Sequence, residues 1–383
     1  MALYQSNNHR LIVVLFIVFS LNSYSQDSTK TKSIVQNQGS QSEKKEEAES
    51  AINFSGYLDV YYGYDFGLPD NERQVFLFNH NRHNQFNINL ALIKMELKNP
   101  KYRANLALQA GTYAVDNYAA EYPAMRSINE ANVGISLNNE NNLWLDVGIF
   151  PSNLGFESYI SMDNWTLTRS LVAECSPYFL SGAKVTYTPN ESLEIVGLVS
   201  NGWQRIRRVQ GNSLLSFGTQ VTYHLNEKIM VNWSTFLGTE DPDNNRRIRV
   251  FHDFYGTVVL SEKISFLGGI DFGSQQETPG ASVYEGWVGL TGILKYKIDE
   301  NWSVAGRMEY YQDENEVIVS INNPGGFVTN GVSANIDYLP SQNIGCRLEG
   351  RLFSSKYDLF MQNGNPVNSN FFFMASMAIK INN

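Results

Sequence analysis

The chain has 383 residues, of which 43% are apolar and only 17% charged, with 21 Tyr and 22 Phe. Soluble domains carry nearer ~25% charged residues, while a mean hydropathy of -0.29 excludes a bundle of apolar helices. The net charge of -9 argues against a nucleic-acid partner, because phosphate binding needs a basic surface. Two distant cysteines, Cys175 and Cys346, and five scattered histidines offer no disulfide scaffold and no metal-ligand spacing, and no cofactor is expected.

In chain order, the first element is a leader. His9 and Arg10 precede an apolar run from Leu11 to Leu21, which ends in the small-residue stretch Asn22-Ser-Tyr-Ser25. A bilayer-spanning helix needs ~20 apolar residues, so this run reads as a signal peptide over 1–25, cleaved after Ser25. Residues 26–52 are polar, carry Lys44-Lys45-Glu46-Glu47, and are expected to be a disordered periplasmic segment. From residue 53 to 383 the texture is uniform and reads as one β domain.

That domain repeats stretches with period-two alternation. Phe54, Leu58, Val60, Tyr62 and Tyr64 share one face; Arg307 and Glu309 lie opposite Trp302, Val304, Met308 and Tyr310; Arg347, Glu349 and Arg351 form a ladder on one face. Side chains alternate across a strand, so each stretch has an apolar and a polar face. Sixteen such stretches are expected, near 54–65, 85–98, 102–113, 126–138, 142–150, 180–188, 192–202, 213–224, 228–239, 249–260, 263–273, 284–298, 301–313, 327–339, 343–354 and 370–381, with 14 to 18 as the range. Short turns such as Asn99-Pro-Lys101 alternate with long connections such as 66–84 and 151–179.

Most stretches reach the ~9–11 residues of a tilted membrane strand rather than the ~5–6 of a globular one. Aromatic residues gather near their ends: Tyr62, Tyr64, Trp144, Trp233, Trp287, Trp302, Tyr310, Tyr311, Tyr338 and Phe371 to Phe373. In lipid only helices and closed barrels satisfy every backbone group, and the alternation excludes helices. The expected fold is an all-β, transmembrane, antiparallel up-and-down barrel in the outer membrane, wide enough for an aqueous channel.

By alternation, the pore wall carries Arg103, Glu130, Asp146, Lys184, Arg307, Glu309, Asp337, Arg347, Glu349 and Arg351. A charge facing mid-membrane lipid would cost ~2–4 kcal/mol, so these face the lumen. The third long connection, 150–178, is rich in apolar residues and is expected to fold inward. It carries a helix over 164–174 capped by Asp163 or Asn164. Glu157, Asp163, Arg169 and Glu174 would then either line a pore constriction or tie the loop down.

The stretch from Gly148 through Phe150-Pro-Ser-Asn-Leu-Gly-Phe-Glu157 to Ser158, with Asp163-Asn-Trp-Thr-Leu-Thr-Arg-Ser170 and Ala173-Glu-Cys-Ser-Pro-Tyr178, resembles the signature of bacterial outer-membrane β-barrel porins of the porin-2, OmpL-like group. The resemblance covers about residues 53–383. It implies a pore-forming outer-membrane protein of poorly defined substrate and brings no catalytic residue with it; the expected function is a porin for passive diffusion of small hydrophilic solutes or ions.

Rival readings are a barrel enzyme and a non-enzymatic binding or adhesion barrel or substrate-specific channel. No Gly-x-Ser-x-Gly elbow is present, and His252 and Asp253, as strand neighbours, face opposite ways. No enzyme is expected. Expected partners are outer-membrane lipid and lipopolysaccharide, whose phosphates Arg205, Arg207, Arg208, Arg246, Arg247 and Arg249 could meet. A homo-oligomer is left open.

Overall fold

The computed structural model describes residues 50–382. The expected leader and almost all of the polar segment lie outside the described residues, and the first strand already begins at Ala51. In chain order the strands are β1 (Ala51–Asp65), β2 (Gln85–Lys98), β3 (Tyr102–Ala110), β4 (Ile128–Ser136), β5 (Leu143–Pro151), β6 (Phe179–Asn190), β7 (Leu193–Ser200) and β8 (Ser216–Asn226). Then come β9 (Ile229–Gly238), β10 (Arg249–Val259), β11 (Ile264–Gln276), β12 (Tyr284–Lys297), β13 (Trp302–Asp313), β14 (Phe327–Ser341) and β15 (Ile344–Ser355). A small hairpin, β16 (Phe360–Gln362) and β17 (Asn365–Val367), precedes β18 (Ser369–Asn382).

Apart from β16 and β17, the strands form one closed barrel of sixteen, each antiparallel to its neighbour, with β1 sealed onto β18 from Ser55↔Asn382 to Asp65↔Phe372. Closure leaves no unpaired sheet edge. Eight long connections alternate with seven short turns, as the sequence spacing predicts. Both ends of the barrel chain therefore lie at the short-turn rim.

The two faces differ as the alternation requires. Outward positions are apolar and open, with Phe86 82% and Met308 72% exposed. Inward positions of the same sheet carry Asp59, Asp253, Glu349 and Arg351, all at 0%. On the outer face Trp233, His252, Phe254 and Phe272 stack in a row, and Trp302 packs on Tyr338 near the short-turn rim. Trp287, Tyr311 and Phe372 depart from the expected girdle. Their register places them inward, and they are buried. There Trp287 stacks on Phe251 and Tyr311 packs on Phe327, both of the wall, while Arg73 of the first loop lies over the Phe372 ring.

The core sits inside the barrel mouth. Phe76 and Leu77 of the first loop, Leu154 and Leu171 of the third, Val319 of the seventh and Phe360 of the hairpin cluster with Phe236, Phe251, Trp287, Phe353 and Phe372 of the wall. Two local expectations need correction. A short helix, α1 (Thr112–Asn117), replaces the expected end of β3. In the third loop the expected helix over 164–174 shrinks to a 3-10 turn at Ser161–Asp163 and one helical turn, α2 (Leu171–Glu174), capped by Ser170. The backbone between them bonds to wall side chains instead of to itself.

Candidate functional site

The third loop, 152–178, enters the lumen and has to satisfy its backbone polar groups there without a ladder. The wall supplies the partners. Asn335 Oδ1 accepts from the Leu167 amide at 3.0 Å, Glu349 Oε2 from Thr168 at 2.6 Å, and Glu309 Oε2 from Leu171 at 2.8 Å. Donors serve the loop carbonyls. Arg307 Nη1 reaches Thr168 O at 2.6 Å, Arg351 Nη1 reaches Arg169 O at 2.9 Å, and Arg347 Nη2 reaches Asn164 O at 3.0 Å. At the loop's entry, Ser234 Oγ donates to Asn153 O and the Gly155 amide donates to Asp253, both at 3.0 Å.

These wall groups also neutralise one another. Arg307 donates to Glu349 Oε1 at 2.7 Å, Arg351 Nε to Glu309 Oε1 at 2.8 Å, and Arg347 Nε to Asp337 Oδ1 at 2.7 Å. Buried charges persist only when paired and hydrogen-bonded, and here the loop's own peptide groups complete the shell. Close approach helps: a Cβ at Gly269 would lie 2.6 Å from the Phe156 ring, and one at Gly289 would lie 2.6 Å from Val172. The missing side chains are seats for loop side chains.

The first loop, 66–84, locks onto the third. The Phe78 amide and Asn79 Nδ2 donate to Glu174 at 2.9 and 3.3 Å. Asp59 lies where the two loops meet: it pairs with His80 at 2.9 Å and accepts from Ser161 at 2.9 Å and Ser376 at 2.6 Å.

The four loop residues singled out from sequence all make contacts within the protein. Glu157 accepts from the Ser170 amide and hydroxyl at 2.8 and 2.7 Å, Asp163 pairs with Lys380, and Arg169 lies 3.9 Å above the Tyr178 ring. Glu174 takes the first-loop bonds and the Tyr178 hydroxyl at 2.6 Å. Burial raises its carboxyl above the ordinary value, against the opposing pull of Arg169.

The expected pore wall splits in two. Arg307, Glu309, Arg347, Glu349 and Arg351, with Asp337, point inward as the alternation requires, but the loop covers them instead of water. Arg103, Glu130, Asp146 and Lys184 line a cavity of about 380 Å³ on the β2–β8 side, near the short-turn rim. Its lining holds four cationic residues (Lys94, Lys98, Arg103, Lys184) and four anionic ones (Glu96, Glu130, Asp146, Glu194). Lys94 pairs with Glu130 at 2.8 Å and Arg103 Nε donates to Asp146 at 2.7 Å. Lys184 makes no ion pair among the described residues, and its ammonium lies 4.8 Å from the centre of the Phe150 ring. A second cavity, of about 330 Å³, opens at the long-loop mouth, lined mainly by the second, third and fourth loops with Phe78 of the first, Glu240 of the fifth and Val317 and Ile318 of the seventh.

Sequence reading missed Asp59, His80, Arg73, Lys94 and Asn335. Asp59 and Lys94 were legible as charges on strands, but their partners come from loops and from a strand distant in sequence, which no local pattern reveals.

The described residues include no helix long and apolar enough to cross a membrane, which says nothing of strands. No curated relative matches the sequence. Among solved structures, the barrel is similar to the anion-selective porin from Comamonas acidovorans, at 8% identity and TM-score 0.57, covering 87% of this chain and 100% of that one. It is also similar to the outer membrane channel DcaP of Acinetobacter baumannii (12%, TM-score 0.58, 87% and 97%) and to the trimer form of OmpT of Vibrio cholerae (9%, TM-score 0.54, 86% and 99%). At such identities these likenesses show the fold alone. The family model described as "Putative beta-barrel porin-2, OmpL-like" matches residues 51–381, and the chain therefore belongs to that porin family of outer-membrane channels for solute diffusion.

Proposed function

We propose that the chain is a non-enzymatic, narrowed porin through which small hydrophilic solutes or ions diffuse passively along the β2–β8 side of the lumen. One observation carries this reading. The third loop is fastened to β9, β10, β13, β14 and β15, whereas the wall opposite keeps a polar cavity of about 380 Å³ lined by charges of both signs. A solute there meets hydrogen-bonding groups and little net charge, which favours small polar solutes over bulky or apolar ones.

In this reading Arg103, Glu130 and Lys184 form the pore wall. Arg307, Glu309, Arg347, Glu349 and Arg351 act one step back, by fixing the loop. Glu157, Asp163, Arg169 and Glu174 shape the constriction by holding the loop's form. The signal peptide of 1–25 delivers the chain across the inner membrane. The barrel then sits in lipid, with lipopolysaccharide at its long-loop rim. There Arg205, Arg246 and Arg247 are paired with Glu240, Asp243 and Asp241, and Arg249 is buried and donates to Gln275, which leaves Arg207 and Arg208 as the candidate phosphate contacts. The trimer form of a structural neighbour supports a homo-oligomer of this barrel.

Swelling of liposomes loaded with sugars of graded size tests the reading. Small sugars are expected to enter and larger oligosaccharides to be excluded. Entry of none of them would refute it.

A further inference from the structure

The mouth cavity is built more precisely than a passage needs. Glu240 clamps the fourth loop, accepting from the Trp203 amide at 2.7 Å and from Arg205 Nε at 2.6 Å. Between those two residues Gln204 is held at φ 56, a left-handed conformation that costs a non-glycine residue energy and persists only where the surroundings fix it. Its side chain supplies the fixing: Oε1 accepts from the Tyr178 amide at 2.8 Å, and Nε2 donates to Asn117 O at 2.9 Å. The Trp203 indole is thus positioned before any solute arrives, edge-on to Phe236 and Phe251 at 5.0 Å.

Around this indole the hydrogen-bonding groups are left incomplete in both senses. Arg249 stands 5.3 Å from the Trp203 ring centre, and its donors reach only Gln275, at 3.0 and 2.8 Å, with no carboxylate paired to it among the described residues. Asn117 and Glu121 also line the cavity, each only 4% exposed, and Asn117 Oδ1 and Glu121 Oε2 have no donor among the described residues. A cation would satisfy the acceptors and be repelled by Arg249. An anion would do the reverse. A hydroxyl both donates and accepts, and the C–H face of a sugar ring packs on an indole. The volume of about 330 Å³ suits a small ligand.

We propose that this cavity is a binding site for a small neutral saccharide or polyol, held between Trp203, Arg249, Asn117 and Glu121 ahead of the passage. The inference rests on the porin reading and adds a substrate class to it.

The test uses the full chain with glucose and maltose as probes, and potassium acetate and choline chloride as ionic controls. Maltose is expected to change the tryptophan fluorescence of the protein in detergent and to block single-channel current reversibly, with the controls doing neither. Glu121→Gln keeps the size of the side chain and turns the donorless oxygen into a donor, and is expected to weaken both responses about tenfold. Trp203→Phe is expected to abolish the fluorescence response, and maltose block at wild-type affinity in Glu121→Gln would overturn the assignment. Steady conductance with no response to either sugar, or equal responses to the ionic controls, would overturn the saccharide site and leave the porin intact. Absence of conductance would count against the porin reading, while the fluorescence titration in detergent would still decide the site.

Discussion

Arg307 on β13 and Glu349 on β15 meet at 2.7 Å across the inner face of β14, and both side chains are closed to solvent. Asn335, on the strand between them, holds the Leu167 amide of the third loop. The wall and the loop therefore form one hydrogen-bonded unit.

Removing one partner exposes that dependence. Glu349→Ala removes the 2.7 Å partner of the buried Arg307 guanidinium, leaving it only the 3.6 Å pairing with Glu309, and takes the acceptor from the Thr168 amide. Breaking a buried pair in this way costs ~3–5 kcal/mol. The variant is expected to lose its folded electrophoretic form at a lower temperature than wild type and to conduct more, because the loop is released. Wild-type values for both would show that the network does not hold the loop.

Seating of the loop can be tested without touching a charge. Gly269→Leu fills the space of the Phe156 ring, whereas a Cβ at Gly197 meets nothing within 4 Å. Limited proteolysis is expected to cut within 152–178 in the Gly269 variant but not in Gly197→Ala. Equal protection of the two would show that the seat is dispensable.

Selectivity should follow Lys184, the one cavity cation that makes no ion pair among the described residues. Lys184→Glu removes one positive charge and adds one negative in a lining that holds four of each sign. The reversal potential in a salt gradient is expected to move toward cation preference, and to move less with Arg103→Gln, whose charge is already matched by Asp146. An unchanged potential in Lys184→Glu would place the ion path elsewhere.

Acid should tighten the closure between the first and third loops. Burial raises the Glu174 carboxyl above 4.5, so folding favours its protonated form. That contribution is complete below 4.5, the value in the unfolded chain, and is lost as pH rises through the elevated folded value. Mean current is expected to grow with pH across that interval in wild type and to stay low and flat in Glu174→Gln. Matching profiles would exclude Glu174 as the titrating group.

The period of two made every barrel strand legible, because lipid outside and polar groups inside impose it on each crossing. It also placed Arg307, Glu309 and Arg351 inward. It could not show that a loop would cover them, since that depends on peptide groups of 164–171 meeting side chains more than a hundred positions away. The helix expected there failed for the same reason: wall acceptors such as Glu309 and Glu349 took the amides that a helix would have used. Trp287 and Phe372 were misplaced because a girdle argument counts aromatics near strand ends, whereas inside or outside is set by register.

The most direct measurement is reconstitution of the purified chain into a planar lipid bilayer. A narrowed pore predicts discrete current steps in wild type and larger steps in Glu349→Ala. A silent bilayer after verified insertion of the wild-type barrel, or identical steps in the two proteins, would contradict it.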